Sequence, residues 1–286
     1  DTGSVAERAF RENLYPEGHP YHTRTAGYLE TLDNITRDDM VAYYSRFFRP
    51  ERAIMVVVGD VESGDIVDQV ERLFGGWNAS NDAAEPYEIA AAEPPQGARV
   101  VQRYVAGKTQ NDLVLGFPGV TRRDPDYYAF DLMNLLLGRI GLMGRLGKTV
   151  RDEQGLAYHA GSSFEAGLGA GPWAVRAGVN PMNVPKAIES ITREIERIRT
   201  EQIPAEELEG GKRYMTGVLP LRLETSDGIA RAMLEMELFD LGFDYISRYP
   251  QIINDLTPEA VEEVARRRLS SQDYVASVAG PTVEGI

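Results

Sequence analysis

Cysteine is absent from the 286 residues, which excludes a disulfide framework, a thiol nucleophile and a thiolate metal site, and leaves the compartment unreadable from redox logic. Histidine is scarce, at three residues. Long apolar runs are missing too. The longest clean one, Ala53 to Val58 (AIMVVV), has the length of a buried strand and falls far short of the roughly 18 residues of a membrane span. Basic charge is in deficit, with 30 Lys and Arg against 44 Asp and Glu for a net charge of -14. That balance disfavours wholesale attraction to nucleic acid or anionic lipid, and any partner drawn by charge would be basic. HExxH, HxxEH and GxSxG do not occur, and Gly147-Lys148-Thr149 lacks the upstream glycine spacing that cradles phosphate in a P-loop. No common hydrolytic centre can be assembled from these residues.

What is present is a globular composition. Hydrophobic residues make up 43%, and the length suggests two compact units. The chain opens on DTGSVAERAF with no initiator Met or apolar leader, while Val5, Ala6, Ala9, Phe10 and Leu14 recur near helical spacing. The start therefore reads as an amphipathic helix cut from something longer. Thr36, with Asp39 three residues on, caps a helix to residue 48 that Pro50 stops; Ala53 to Val58 reads as a strand and Asp65 to Phe74 as a helix. From Gly75 to Gly97 the composition turns to Ala, Glu and Pro with little periodicity, which reads as a linker. Beyond it come strands at Arg99 to Val105 and Asp112 to Phe117, a helix over Asp124 to Leu137, and a glycine-spaced stretch, GRIGLMGRLG. Lys148 to Gln154 ends a helix at Gly155; Leu156 to Phe164 and Pro172 to Val179 alternate like paired strands. Four helices follow: Val184 to Thr200, one opened by Pro204, and two with Ser226 and Thr257 as cap candidates. Tyr274 to Ala279 closes as a strand. Groups of strands separated by groups of helices predict an α+β architecture, an antiparallel or mixed sheet packed against helices.

Residues 35–60 align without a gap on 256–281, an offset of 221. Met40, Tyr43 and Tyr44 fall on Val261, Val264 and Ala265, although only four of the 26 positions are identical. Two unrelated helix-to-strand joins would look much the same. If the match is a duplication, the second copy begins near Gly97 and roughly 120 residues of the first lie before Asp1.

His19 and His22 form HPYH, a poor metal pair because Pro20 prevents a regular helix from presenting both rings. The more informative stretch is TVRDEQGLAYHAGSSF at 149–164. Arg151 sits on a helical turn, Gly155 permits reversal, and Tyr158 lies on the outgoing strand, so a guanidinium and a phenol could face one cavity. Such a pair suits a polarised peptide carbonyl: the phenol donates to the oxygen that becomes negative and the guanidinium grips carbonyl or carboxylate. Read from the residues alone, Arg151 more readily pairs with Asp152, Glu153 or another surface acid, and Tyr158 more readily serves as a half-buried strand aromatic.

HPYHTRTAGYLETLDNITRDDMVAYYSRFFRPERAIMVVVGD, LLLGRIGLMGRLGKTVRDEQGLAYHAGSSF and IPAEELEGGKRYMTG together resemble the pitrilysin and mitochondrial processing peptidase family, the inverzincin zinc metallopeptidases, over nearly the whole chain. The resemblance implies two homologous sheet-and-helix-layer domains, the first truncated at its N-terminus: residues 1–76 as the distal half of the first, 77–97 as linker and 98–286 as a complete second, non-zinc domain. Active family members carry HxxEH in the first domain, so the resemblance implies no zinc site in this chain and zinc in the complete enzyme or a partner. It assigns Arg151 and Tyr158 to holding substrate and stabilising the reacting carbonyl. It likens Gly138, Gly141 and Gly144 to a substrate-facing glycine-rich loop, though they could equally serve helix packing. The implied partners are an unfolded peptide and, in a homodimer or heterodimer, a zinc-bearing subunit; the compartment, cytoplasmic or periplasmic, stays open. Two other readings stand beside the peptidase: a structural subunit like the family's respiratory-complex core proteins, and a stand-alone peptide-binding module.

Overall fold

The computed structural model describes residues 1–77, 88–140 and 143–286. Helices α1 Thr2–Leu14, α2 Leu29–Leu32, α3 Arg37–Phe47 and α4 Ser63–Phe74 precede strands β1 Arg99–Tyr104 and β2 Asn111–Pro118. α5 Tyr127–Asn134 continues into a π-helical segment, Leu135–Arg139. A second π-helical segment, Gly147–Glu153, leads to the hairpin of β3 Ala157–Ala166 and β4 Ala170–Val179. Then come α6 Val184–Thr200, α7 Ala205–Arg222, α8 Ser226–Leu238, α9 Tyr245–Asn254, α10 Pro258–Arg268 and β5 Val275–Gly280. The chain divides into two compact units. The first is Asp1–Arg24, Glu88–Met215 and Pro250–Ile286; the second is Thr25–Tyr87 and Thr216–Tyr249, of which 78–87 lie outside the described residues. This grouping by compactness cuts the chain differently from the expected division at 77–97, which is a reading of ancestry.

The first unit is built on a mixed sheet in the order β1-β5-β2-β4-β3, with β1 and β5 parallel and the other neighbours antiparallel. Its α+β character is as the sequence predicts. Side chains alternate along each strand, so both faces need cover. On one face Phe117, Trp173 and Phe164 fall in register across three strands; Phe117 stacks on Trp173 at 4.9 Å, and Phe130 of α5 meets Phe164 edge-on at 5.0 Å. Helix α6 lies against β2 and β4 there, its Ile188, Ile191, Ile195 and Ile198 stripe buried, and α10 packs on α5 and α6. On the opposite face α1 buries Ala6, Phe10 and Leu14 against Val114, Ala174, Val275 and Ala279. Full burial of a side chain such as Phe10 stabilises by about 1.5–3 kcal/mol. Strand β5, covered on both faces and flanked on both edges, is buried at all six positions.

Several local expectations need correction. α8 is capped by Thr225, whose hydroxyl accepts from the Gly228 N–H at 3.0 Å, and not by Ser226, which is already helical. Five helices stand where the sequence distinguishes four, because α9 runs through Pro250. Part of the expected linker is tied down in the first unit: Ala92 packs on the α1 cluster and the Gly97 N–H donates to Asp273.

In the second unit α3 opens on a complete capping box between Thr36 and Asp39. Its bounds, 37 and 47, are offset by 221 from those of α10, 258 and 268, and Thr257 caps α10 as Thr36 caps α3. The match ends where β5 begins. Residues 54–59, the counterparts of β5, form no strand, and Ile54, Met55 and Val57 are exposed. The expected strand at Ala53 to Val58 is thus absent, for a physical reason: a strand exists only through its neighbours' hydrogen bonds. β5 has β1 and β2 beside it, whereas 53–58 has no partner strand among the described residues.

Candidate functional site

The stretch 147–164 folds as a helix end, a reversal and an edge strand. Gly155, at φ +59°, makes the left-handed turn that glycine adopts freely. The reversal is closed by Gly155 N–H to Arg151 O at 2.9 Å and Leu156 N–H to Val150 O at 3.0 Å. Arg151 lies in the last turn of the second π-helical segment. Its side chain is 33% exposed, and its ion pair with Asp152 is long, at 3.9 Å. Strand β3 is an edge strand, and a bulge between Ala157 and His159 leaves Tyr158 out of the ladder with β4. A bulge re-aims the side chain it carries. Tyr158 is 79% exposed, and its hydroxyl makes no hydrogen bond among the described residues. The two groups therefore leave the same reversal, each largely uncommitted, and no contact joins them. The expectation of a half-buried strand aromatic does not describe Tyr158.

Gly138 and Gly144 are buried. A Cβ on Gly138 would stand 2.5 Å from Ser162 N and 2.9 Å from Leu146 Cδ1; one on Gly144 would stand 3.0 Å from Gly138 Cα. Both glycines let the loop close onto itself and onto β3. Gly141 lies outside the described residues. Nearby, Trp173 Nε1 donates to Asn134 Oδ1 at 2.9 Å, both side chains fully buried. A buried indole N–H needs such an acceptor, but nothing in the sequence spacing singles out Asn134, 39 residues away.

HPYH is a tether. His19 Nδ1 accepts from the Tyr21 N–H at 3.0 Å, which leaves Nε2 to donate to Ala90 O at 2.9 Å, and the ring stacks on Tyr15 at 4.7 Å. His22 donates from Nδ1 to Tyr15 O at 2.9 Å. Burial pushes the Tyr15 phenol above its ordinary value, with Arg11 pulling the other way; its hydroxyl donates to Ala170 O. The third ring, His159, lies over Gly178, where a Cβ would come within 3.0 Å of it. Around α1, Arg176 forks onto Glu7 and donates to Ser163, while Arg11 reaches Glu165 and Glu7. Burial works against the Arg11 charge, but Glu165 and Glu7 outweigh it and raise its affinity for the proton. Among the described residues no group of three or more His, Asp or Glu side chains is placed to hold a metal ion. The histidines, dispersed and engaged as above, do not fit a zinc site. No helix among the described residues is long and apolar enough to cross a membrane.

This geometry can be set beside known proteins. Residues 34–215 match the family profile described as the peptidase M16 inactive domain. The chain belongs to the peptidase M16 family. The family resemblance read from the sequence is thereby borne out. An uncharacterized zinc protease of Streptomyces coelicolor is 26% identical to this M16 chain over 286 residues, covering 98% of the chain and 61% of that protein. The alpha subunit of the mitochondrial-processing peptidase of Pongo abelii is 23% identical over 321 residues, covering 100% of the chain and 57% of the subunit. The chain thus spans roughly three fifths of the length of these relatives. A crystal structure of the peptidase M16 inactive domain from Pseudomonas fluorescens shares the fold, with a TM-score of 0.88 at 22% identity over 99% of this chain and 66% of that one.

Proposed function

We propose that this M16 chain supplies the non-metal side of a zinc-dependent endopeptidase: it binds extended peptide and stabilises the carbonyl under attack, while the metal is held by residues upstream of Asp1 or by a partner subunit in a homodimer or heterodimer. The observation that carries the reading is Tyr158, a phenol thrust out by a bulge on an edge strand, 79% exposed and with no hydrogen bond among the described residues. A phenol placed that way is free to donate to an arriving group. The phenol donates to the carbonyl oxygen as negative charge develops, and a single such donor is worth about 2.7–4 kcal/mol in a water-excluded site. Arg151, held at one point only, offers its fork to a neighbouring peptide carbonyl or carboxylate. The open edge of β3 suits addition of an extended peptide as a further strand, and the net charge of -14 favours basic sequences.

Gly138 and Gly144 serve this site by letting the loop close behind the second π-helical segment, which frames the substrate side. In the same reading, 1–76 and 98–286 descend from one duplicated unit joined by 77–97; the matched caps at Thr36 and Thr257 support it. The direct experiment mixes the chain with the zinc-bearing half of an M16 peptidase and follows cleavage of an unstructured basic peptide. The expected result is cleavage that neither component achieves alone. A mixed complex that forms and stays inactive would instead support a structural subunit, and peptide affinity without cleavage would support a binding module.

A further inference from the structure

The glycine-spaced loop is fastened to α7 by a single charged fork. Arg145 Nε and Nη2 donate to Glu207 Oε1 and Oε2, both at 2.7 Å. The guanidinium is only 13% exposed and the carboxylate 28%. Such parallel two-bond pairs combine charge with fixed orientation. Glu207 has no other partner among the described residues, and of the acids around the same pocket Arg197 holds Glu194 and Glu201. A second tie lies nine residues on, where Gln154 Nε2 donates to Ser190 Oγ of α6 at 2.7 Å. These two ties bracket Gly147–Glu153, the π-helical segment that carries Arg151.

π-helical backbone is rare and appears mostly as short stretches within α-helices, frequently at functional sites. A π turn holds one residue more than an α turn, so relaxation to α geometry would rotate the residues beyond it by about 100°. Arg151 would then point elsewhere. Leu146 and Val150, both fully buried, hold the inner side of the segment, and the ties fasten its two ends.

We propose that Arg145 is a positioning residue: its fork to Glu207 holds the start of the π-helical segment in register and so sets the direction of Arg151. This rests on the role given to Arg151 above, and Arg145 itself touches no substrate. Lysine should not replace it, because a point charge cannot reproduce the planar fork.

The test uses the full chain with Arg145→Ala, Arg145→Lys, Glu207→Gln, and the reversed pair Arg145→Glu with Glu207→Arg. Amide hydrogen exchange across 147–153 should quicken about tenfold in the first three, the loss of a partly buried charged fork, while β2 and β4 amides keep their rates. The reversed pair should restore protection. In the reconstituted assay with an unstructured basic peptide, Arg145→Ala should lower kcat with little change in KM, and should lower it no further when Arg151 is already Ala. Unchanged exchange across 147–153 in Arg145→Ala overturns the proposal whatever turnover does, and so does a uniform acceleration that includes β2 and β4. If Arg151→Ala alone leaves turnover unchanged, the functional reading fails, and exchange still decides the clamp.

Discussion

Gly138→Ala should destabilise the first unit, and the size of the effect follows from three distances. The added methyl would stand 2.5 Å from Ser162 N, 2.7 Å from Ser162 Oγ and 2.9 Å from Leu146 Cδ1, where ordinary carbon contacts are about 3.5–4.0 Å. Leu146 can rotate, but Ser162 N cannot retreat, because Ser162 is held opposite Val175 in the β3–β4 ladder. Overpacking against fixed backbone costs about 1–3 kcal/mol. For a unit of this size each kcal/mol lowers Tm by about 2–4 °C, so a fall of about 2–12 °C is expected. Gly210→Ala in α7 is the control of opposite sign: its methyl would meet nothing within 4 Å, and removing a helix-interior glycine should stabilise by about 0.5–1 kcal/mol. Thermal and urea unfolding followed by circular dichroism measure both. If Gly138→Ala melts with the parent chain, or if it spares stability and weakens only peptide binding, Gly138 is a substrate-facing residue and the packing argument is wrong.

Asn134→Ala strands the buried Trp173 N–H and should cost about 1–3 kcal/mol, read from urea unfolding by tryptophan fluorescence; Asn134→Ala unfolding at the parent midpoint would dismiss that hydrogen bond. Burial pushes the Asp126 carboxyl up, but hydrogen bonds from Arg268 and Arg267 outweigh it and hold the group below its ordinary range. The folded state therefore prefers the charged form, so this stabilisation is complete above the unfolded value near 4 and is lost as pH falls through the lower folded value. Asp126→Asn should lower the urea midpoint at pH 7 and flatten its decline below about pH 4; an unaltered acid limb would contradict the assignment. Dialysis against EDTA should leave Tm unchanged, and metal analysis should find no stoichiometric zinc; one zinc per chain would place the metal here after all.

Much of the first unit is legible in the sequence because its signals are local. The isoleucine stripe of α6 marks its residues, Val184–Thr200, and Gly155 marks the reversal before β3. What escaped depends on partners far along the chain. AIMVVV reads as a strand from composition, yet strand formation is decided by neighbours that β5 has and that 53–58 lacks among the described residues. α3 and α10, whose caps and apolar faces are local, agree to the residue across the offset of 221. The π-helical segments are invisible because the same apolar side chains satisfy a 3.6-residue period. Tyr158 and Arg151 could be singled out as chemically suitable, but their role came from family resemblance. Glu207, 62 residues from Arg145, left no signal at all.

The most direct test of the proposed role is turnover by Tyr158→Phe, a substitution that removes one exposed hydroxyl and disturbs no hydrogen bond among the described residues. Reconstituted with a zinc-bearing half and matched to the parent chain in Tm, the variant should cleave peptide about 10²–10³-fold more slowly, the scale of a lost oxyanion donor. Turnover equal to that of the parent chain would remove Tyr158 from the chemistry.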